Sequence, residues 1–250
     1  MIKKKPYKHQ QNALSWAGTR SGIALFMEMR LGKTLVAIRW ANQFGLEKIL
    51  VVCFLSCIYV WQEELACEGC SSTILAGSWK EKLEIMNEQD TFWYIANYES
   101  LYVDRRPKKP RPSKIALAPW DGVILDESTG IKNPRTIRTK MCRKYFKTTP
   151  YKGILTGLPN PEGPMDYFEQ QAFVYGQFMK CKTYWQFRHK YFHLGYSDYD
   201  WVPNKKTLSA IKKEVNKNSF VLTRKQAGMG SKIIYEHRYV ELPKKVRKEY

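Results

Sequence analysis

The chain has 250 residues, with 42 Lys and Arg against 23 Asp and Glu, and a formal net charge of +19 at pH 7. Its hydrophobic content of 44% suffices for a buried core, and no apolar run approaches the roughly 18 residues that a membrane-spanning helix needs. These values exclude a disordered chain and a helical membrane protein, and the excess of positive charge favours a polyanionic partner over a membrane.

Apolar runs typical of buried strands alternate with amphipathic helical segments through the first two thirds of the chain. The predicted strands are Ile23–Phe26, Ile49–Cys53, Thr73–Ala76, Phe92–Ala96, Val123–Leu125 and Gly153–Leu155. The predicted helices are His9–Thr19, Thr34–Phe44, Ile58–Cys67, Trp79–Asn87 and Arg135–Tyr145. Such alternation generates a parallel sheet with helices on both faces. We therefore predict an α/β, three-layer fold whose ligands bind at the carboxyl ends of the strands.

The loop between the first predicted strand and the next helix carries the residue types of a phosphate-binding loop, Leu31-Gly32-Lys33-Thr34. Backbone N–H groups at a helix start can bind phosphates, Lys33 can reach the β- and γ-phosphates, and the Thr34 hydroxyl can bind Mg²⁺. The strict pattern fails, because Met27 stands where the full motif has its first glycine. An ordinary Gly-Lys turn at a helix start is the alternative, but the flanking strand and helix favour the phosphate loop.

Two adjacent carboxylates follow the predicted strand Val123–Leu125. Asp126 can hold the metal ion and Glu127 can polarise an attacking water, which is the division of roles that phosphoryl transfer needs. Both fall at the carboxyl end of a strand, as Gly32 does. Together the two segments predict a nucleotide-hydrolysing site.

After Leu158 the sequence becomes aromatic and basic, and we interpret this stretch as a mostly helical, aromatic-rich insertion. Lys205–Asn216 has apolar residues at helical spacing. We expect the aromatic side chains to pack in the insertion's own core, with stacking on bases as the alternative. A return to the sheet is predicted at Ile233–Val240. The predicted divisions are a core at residues 1–164, the insertion at 165–222, and the return with the start of a linker at 223–250.

A dense run of cations between Arg105 and Lys114 is interrupted by three prolines. Such runs are usually solvated loops, and contact with nucleic-acid phosphate is the alternative. Without a secretion signal, the six cysteines predict free thiols and a cytoplasmic protein of a bacterial or phage-infected cell. Cys67 and Cys70 form a tempting pair, but a structural zinc site would need a second pair at a suitable distance.

Taken in order, these segments resemble the first RecA-like lobe of superfamily 2 helicases, specifically the Swi/Snf-like branch of double-stranded DNA translocases. The resemblance covers most of residues 6–242. The motifs that carry it are Pro6–Gln10, Phe26–Thr34, Leu50–Ser56 with Trp61–Glu64, Ile95–Glu99, Asp126–Asn133 and Leu155–Pro159. The chain departs from the family's pattern at Arg30, at Ser128-Thr129 and at Leu158.

The resemblance implies a RecA-like fold, with ATP and Mg²⁺ as cofactors. The catalytic residues would be Lys33, Asp126 and Glu127. ATP would contact Tyr7, Gln10, Met29, Arg30, Leu31, Gly32, Lys33 and Thr34, with the Gln10 amide on the base. Mg²⁺ would be held by Thr34 and Asp126. Nucleic acid would contact Ser56, Asn97, Tyr98, Lys132 and Asn133, and Thr156 and Gly157 would couple hydrolysis to nucleic-acid binding.

The family's motor needs a second RecA-like lobe that supplies arginine fingers, which typically contribute 10³ to 10⁵ in rate. We expect this lobe to be missing from the chain, so that the chain alone is weakly active. The predicted function is the ATP-binding lobe of an ATP-dependent helicase or double-stranded DNA translocase. A nucleic-acid-binding module with a degenerate nucleotide site and an RNA helicase lobe are the alternatives.

Overall fold

A parallel sheet of seven strands organises the computed structural model, which describes residues 5–88, 91–103, 111–196, 200–229 and 236. Its strands are β1 (Gly22–Met27), β2 (Ile49–Cys53), β3 (Ser72–Ile74), β4 (Trp93–Asn97), β5 (Gly122–Asp126), β6 (Tyr151–Thr156) and β9 (Phe220–Leu222). They lie in the order β3-β4-β2-β5-β6-β1-β9. A separate antiparallel pair consists of β7 (Phe192–Leu194) and β8 (Trp201–Pro203).

Helices cover both faces of the sheet. They are α1 (Lys8–Ala17), α2 (Lys33–Asn42), α3 (Ile58–Cys67), α4 (Trp79–Glu88), α5 (Lys114–Leu117), α6 (Ile137–Tyr145), α7 (Tyr167–Tyr175), α8 (Tyr184–Tyr191) and α9 (Lys205–Asn218). Short 3₁₀ turns follow β2, β4 and β5 and precede α7. None of the helices in the described ranges combines the length and the apolar character needed to cross a bilayer.

The two faces of the sheet carry separate hydrophobic cores. Val123 and Leu125 of β5 pack in one core with α6 and α7, whereas Ile124 packs in the other with α1, α2 and α3. This alternation follows from the two-residue period of a strand. The predicted three-layer α/β fold, with a parallel sheet between helices, is thus confirmed.

The periodicity located the core elements closely. All six predicted strands and five predicted helices of the first part are present, with ends shifted by no more than two residues. Ile49–Cys53 and Ile58–Cys67 match to the residue. Local pattern suffices here because these strands, and all of these helices except α4, bury an apolar face or run.

Three strands were not predicted: β7 and β8 of the antiparallel pair, and β9 of the seven-stranded sheet. Phe220–Leu222 forms β9, which pairs in parallel with β1 through Leu25↔Phe220 and Met27↔Leu222. The signal is weak, because β9 has three residues and Val221 is exposed. The predicted strand Ile233–Val240 lies outside the described residues, as do Arg105, Arg106, Lys108 and Lys109 of the basic run.

Between α7 and β9 the chain forms α8, the β7–β8 hairpin and α9. Phe187 of α8 is fully buried and lies 5.3 Å from the rings of both Phe168 and Phe192. Core packing is therefore confirmed for these aromatic residues. Trp185 and Tyr196 remain exposed, and Tyr199 lies outside the described residues.

Candidate active site

The loop between β1 and α2 is held in a conformation that suits glycine. Arg30 and Gly32 have φ angles of 66° and 72°, in the left-handed region. A Cβ on Gly32 would lie 2.0 Å from Nε2 of Gln10, so the position excludes a side chain unless Gln10 moves. Within the described residues no side chain caps the first turn of α2, and that turn carries no acidic residue. Its backbone N–H groups are thus arranged to accept an anion.

We expect Gly32→Ala to lower the free energy of unfolding by about 1–3 kcal/mol, because the left-handed conformation is strained for alanine and the new Cβ displaces Gln10. Urea unfolding measures the change. Gly45→Ala is the matched control, since Gly45 has φ 61° but nothing within 4 Å of an added Cβ. Gly45→Ala reports the backbone strain alone. Equal destabilisation in the two variants would contradict the predicted contact with Gln10.

Lys33, the first residue of α2, is turned toward the end of β1. Its Nζ donates to the carbonyl oxygen of Met27 at 3.0 Å and lies 3.5 Å from that of Glu28. Burial lowers the pKa of Lys33, while the negative charges of Glu127 and Asp126 act in the opposite direction. The ammonium group is therefore close enough to both carboxylates to interact with them electrostatically.

Asp126 ends β5 with its carboxylate held by two donors. Its Oδ1 accepts the backbone N–H of Glu127 at 3.0 Å, and its Oδ2 accepts Nε1 of Trp61 at 2.8 Å. Burial raises the pKa of Asp126, and the two hydrogen bonds and the charge of Lys33 oppose this rise. The carboxylate has a fixed orientation, and each oxygen keeps lone-pair capacity for a cation.

Glu127 lies directly after Asp126 in an unusual backbone conformation, with φ 48° and ψ 57°. Its Oε2 accepts the hydroxyl of Thr156, the last residue of β6, at 3.1 Å. Burial raises the pKa of Glu127, and the negative charge of Asp126 raises it further. A carboxylate with a raised pKa in a partly enclosed position suits proton transfer to or from water.

The segment after β6 contacts both halves of this site. The Thr156 hydroxyl that donates to Glu127 also accepts the backbone N–H of Leu158 at 3.3 Å. A Cβ on Gly157 would lie 3.4 Å from the backbone nitrogen of Met29 in the β1–α2 loop. Thr156 and Gly157 therefore lie between the acidic pair and the β1–α2 loop. A displacement of the acidic pair would be transmitted through them to that loop.

Three of the residues predicted to contact ATP, Tyr7, Gln10 and Met29, differ in their exposure to solvent. Tyr7 and Met29 are exposed at the rim of the site, and the Tyr7 ring stacks on His9 with centroids 5.7 Å apart. Gln10 is buried: its Oε1 accepts the Tyr7 N–H at 2.8 Å and its Nε2 donates to the Leu31 carbonyl at 3.4 Å. Both ends of the amide have protein partners, so this conformation does not offer Gln10 to a base.

Two further predicted contacts of the phosphate loop differ in exposure. The side chain of Leu31 is buried, so only its backbone can meet a ligand, whereas Arg30 is exposed. His9, which the sequence did not single out, also bonds to the Leu31 carbonyl, with Nε2 at 3.1 Å. The loop is thus fastened to α1 through one carbonyl oxygen.

The residues predicted to contact nucleic acid do not form one exposed set. Ser56 and Asn133 are exposed, and Asn97 is half-buried with Nδ2 donating to Glu99 at 3.3 Å. Lys132 pairs with Glu162 at 2.6 Å, so its ammonium group already has a carboxylate partner. Tyr98 corrects the prediction: it is fully buried, and its hydroxyl donates to the Asp126 carbonyl at 2.9 Å. Tyr98 therefore contacts the segment that carries Asp126, and its side chain cannot reach a nucleic acid in this conformation.

Three contacts of the site were not predicted as such. Trp61 and Tyr98 both donate to Asp126, and Ser128 donates to Oε1 of Gln170 at 2.7 Å. Gln170 in turn donates to the carbonyl oxygen of Pro159 at 2.6 Å. The serine at the departure from the family's pattern thus connects the acidic segment to α7. No sequence signal marks Gln170, because only its bond to the Asp166 carbonyl is local, whereas Ser128 and Pro159 are more than ten residues away along the chain.

Comparison with known proteins places this site in a family. The model of the SNF2-related domain matches residues 9–229, while a search of curated proteins gives no significant match. Among solved structures, the Sulfolobus solfataricus SWI2/SNF2 ATPase core in complex with dsDNA is 22% identical, with a TM-score of 0.68 over 89% of this chain and 45% of that chain. The UvsW helicase from bacteriophage T4 is 13% identical, with a TM-score of 0.52 over 68% of this chain and 58% of that chain.

At these identities the two solved structures show the fold, and this chain spans about half the length of each. The fold is that of the first RecA-like lobe of a superfamily 2, Snf2-like helicase. Because the family model matches most of the described residues, the chain belongs to the SNF2-related domain family.

Proposed function

We propose that this chain is the ATP-binding lobe of an ATP-dependent DNA helicase or double-stranded DNA translocase, which hydrolyses ATP to move along nucleic acid when joined to a second RecA-like lobe. The observation that carries the proposal is the convergence of Lys33, Asp126 and Glu127 at the carboxyl edge of the sheet, with Lys33 electrostatically coupled to both carboxylates. A lysine at an uncapped helix start beside two oriented carboxylates suits phosphate, metal and water together.

In this proposal the phosphates lie against the first turn of α2. The N–H groups of Gly32, Lys33 and Thr34 donate to phosphate oxygens, and the Lys33 ammonium exchanges its contact with the Met27 carbonyl for the β- and γ-phosphates. Arg30 adds a second cation at the same loop. Tyr7 and Met29, both exposed, cover the base, and Gln10 acts through the loop it holds.

Mg²⁺ would be held by Thr34 and Asp126, and it would neutralise charge on the phosphates during their transfer. The two donors on Asp126 fit this role, because they fix the carboxylate and leave lone pairs free. Glu127 orients the attacking water and accepts its proton. Thr156 holds Glu127 in place. Thr156 and Gly157 couple ATP hydrolysis at Glu127 to a movement of the segment that follows β6.

The proposed partner is double-stranded DNA, in line with the net charge of +19 and with the DNA-bound solved structure. Ser56 and Asn133 are the exposed candidates for phosphate contact, with Asn97 and Lys132 beside them. A second RecA-like lobe would complete the site and supply arginine fingers. We also propose that residues 165–222 form an insertion and that the chain returns to the core from residue 223.

Titration of a fluorescent ATP analogue with Mg²⁺ tests the nucleotide site. We expect saturable binding that weakens about tenfold in Lys33→Ala, at the low end for a charge-assisted hydrogen bond because phosphate binding also costs the ammonium its bond to the Met27 carbonyl. Lys48→Ala, which removes an exposed lysine just before β2, is the control and should bind normally. Equal affinity in the wild type and Lys33→Ala would contradict the role of Lys33. No binding in either would favour a nucleic-acid-binding module with a degenerate site, or a lobe that holds nucleotide only when its partner closes over it.

A second measurement separates DNA from RNA. With a two-lobe version of the protein, we expect duplex DNA to stimulate ATP hydrolysis more than duplex or single-stranded RNA. Stronger stimulation by RNA would assign the lobe to an RNA helicase and contradict the proposed partner.

A further inference from the structure

A cationic groove lies at the amino ends of β1 and β6, on the opposite edge of the sheet from the nucleotide site. Cavities of 760, 540 and 80 Å³ meet there at Gly176. Its cations, which define what we name the basic groove, are Lys140, Arg143, Lys144, Lys147, Lys152 and Lys182. Arg20 lies at one end of it. The function proposed above makes no use of this feature.

The charges of the basic groove are poorly balanced. No described Asp or Glu lines its three cavities. Arg143 pairs with Glu169 at 3.2 Å, a single carboxylate against this group of cations. Burial lowers the pKa of Lys152, and the positive charge of Arg143 lowers it further. Like charges held this closely store an electrostatic cost that a bound anion would relieve.

Stabilisation of a helix end explains the positions of only some of the groove's cations. Arg143 and Lys144 lie in the last turn of α6, where cations complement the helix dipole. Lys140 lies one turn earlier, Lys147 follows the helix, and Lys152 and Lys182 belong to β6 and to the segment before α8. The remaining cations therefore need another explanation.

The arrangement fits an extended phosphate backbone. Lys140 and Lys144 are four residues apart on α6, about 6 Å at 1.5 Å per helical residue, and Lys147 follows in the turn just after the helix. All three side chains are exposed, so they form a line of point charges in place of a closed pocket for a small anion. Such a line suits successive phosphates, which bind without base contacts.

Other polyanions fit less well. Membrane-binding basic surfaces carry apolar side chains that insert into the bilayer, and protein interfaces are anchored by aromatic or apolar residues. None of the large apolar side chains exposed in the described residues lines the groove. A nucleic-acid backbone can bind without apolar side chains that insert or anchor, because its contacts are to charged phosphates.

The basic groove is also too far from the edge of the sheet that carries the nucleotide site to belong to the nucleic-acid contact proposed at that edge. Along β6, Lys152 lies four residues before Thr156, about 13 Å at 3.3 Å per residue, and the two residues are at opposite edges of the sheet. We propose that the basic groove binds the phosphate backbone of a second nucleic-acid segment, separate from the segment that meets Ser56 and Asn133. The groove binds without ATP, so its test is independent of the nucleotide site.

Charge reversal tests the proposal in the full chain. In Lys140→Glu/Lys144→Glu/Lys147→Glu we expect the number of short DNA duplexes bound per chain at low salt to fall from two to one. The logarithmic salt slope of total binding should fall by about three, roughly 0.9 for each phosphate that the three lysines no longer neutralise. Fluorescence anisotropy and analytical ultracentrifugation supply the two readouts. Lys147→Glu/Lys182→Glu, which leaves α6 unchanged, should lower the groove's affinity at least tenfold.

The matched control is Lys206→Glu/Lys212→Glu/Lys213→Glu, which makes the same change in net charge on exposed positions of α9. It should keep both duplexes. An equal decrease in this control, or no decrease in the groove variants, would overturn the proposal. Groove-dependent binding to phosphatidylserine vesicles or to polyglutamate without binding to DNA would also overturn it. Lys33→Ala should keep groove binding, so failure of the nucleotide site is distinguishable from failure of the groove.

Discussion

Replacing Glu127 by glutamine is expected to slow ATP hydrolysis by roughly 10² to 10⁴-fold, the usual contribution of general acid–base catalysis. The amide cannot accept the proton of the attacking water. Its oxygen can still accept the Thr156 hydroxyl, which lies 3.1 Å from Oε2 of Glu127, so the side chain should keep its position. Single-turnover hydrolysis of radiolabelled ATP by a two-lobe version of the protein with saturating duplex DNA measures the effect. Nucleotide affinity should change by less than about twofold, since the proposed role of Glu127 is toward the water and not the phosphates.

Glu84→Gln is the control for this experiment, because Glu84 is an exposed carboxylate on α4. Its hydrolysis rate should equal that of the wild type. If Glu127→Gln hydrolyses ATP normally, or if its nucleotide affinity decreases in parallel with its rate, Glu127 is not the residue that activates water.

The pH dependence of hydrolysis gives a second readout of the same residue. Burial and the charge of Asp126 raise the pKa of Glu127 above its ordinary value of 4.5. Because the base must be ionised, the rate should fall as pH decreases through this raised pKa, at a higher pH than for an exposed glutamate. The residual rate of Glu127→Gln should lack this fall.

Replacing Trp61 by phenylalanine is expected to weaken Mg²⁺ binding by about 10 to 100-fold, the usual effect of removing a donor that orients a metal ligand. The change deletes the N–H that lies 2.8 Å from Oδ2 of Asp126. It also removes one of the interactions that oppose the raised pKa of Asp126, so the carboxylate should be protonated more readily. The measurement is the Mg²⁺ concentration that gives half-maximal nucleotide binding, at two pH values.

Trp93→Phe is the matched control for Trp61→Phe. Trp93 is as deeply buried, and its Nε1 donates at 3.3 Å to Asn42, which lies away from the acidic pair. Both variants should be somewhat less stable than the wild type, but only Trp61→Phe should shift the Mg²⁺ dependence. A similar shift in both would mean that Trp61 acts through general packing.

Trp61 and Tyr98 give Asp126 an unexpected set of neighbours. Trp61 lies on α3, shortly after the exposed Ser56, and Tyr98 directly follows Asn97. Both segments were predicted from the resemblance to contact nucleic acid, and each donates one hydrogen bond to Asp126. The proposed metal ligand is therefore in direct contact with both segments proposed to meet DNA.

Sequence patterns located the residues of the site better than they located their partners. Lys33 and Asp126 were proposed as site residues because the expected chemistry requires a particular residue type near the end of a strand, and the strands themselves follow from apolar runs. Gln10 was assigned to the base, yet its amide is used to hold the Leu31 carbonyl and the Tyr7 N–H. Tyr98 was assigned to nucleic acid, yet it is buried.

Local sequence patterns were enough to predict the succession of strands and helices, the proposed phosphate-binding loop and the acidic pair, because each depends on neighbours within about ten residues. The hydrogen bonds of Trp61 and Tyr98 to Asp126, the pairing of β9 with β1, and the basic groove are visible only in the folded chain. The atoms of Trp61 and Asp126 meet across 65 positions, and Lys140 and Lys182 line one cavity although they are far apart along the chain. Such partners are selected by packing across the sheet, which a local pattern does not encode.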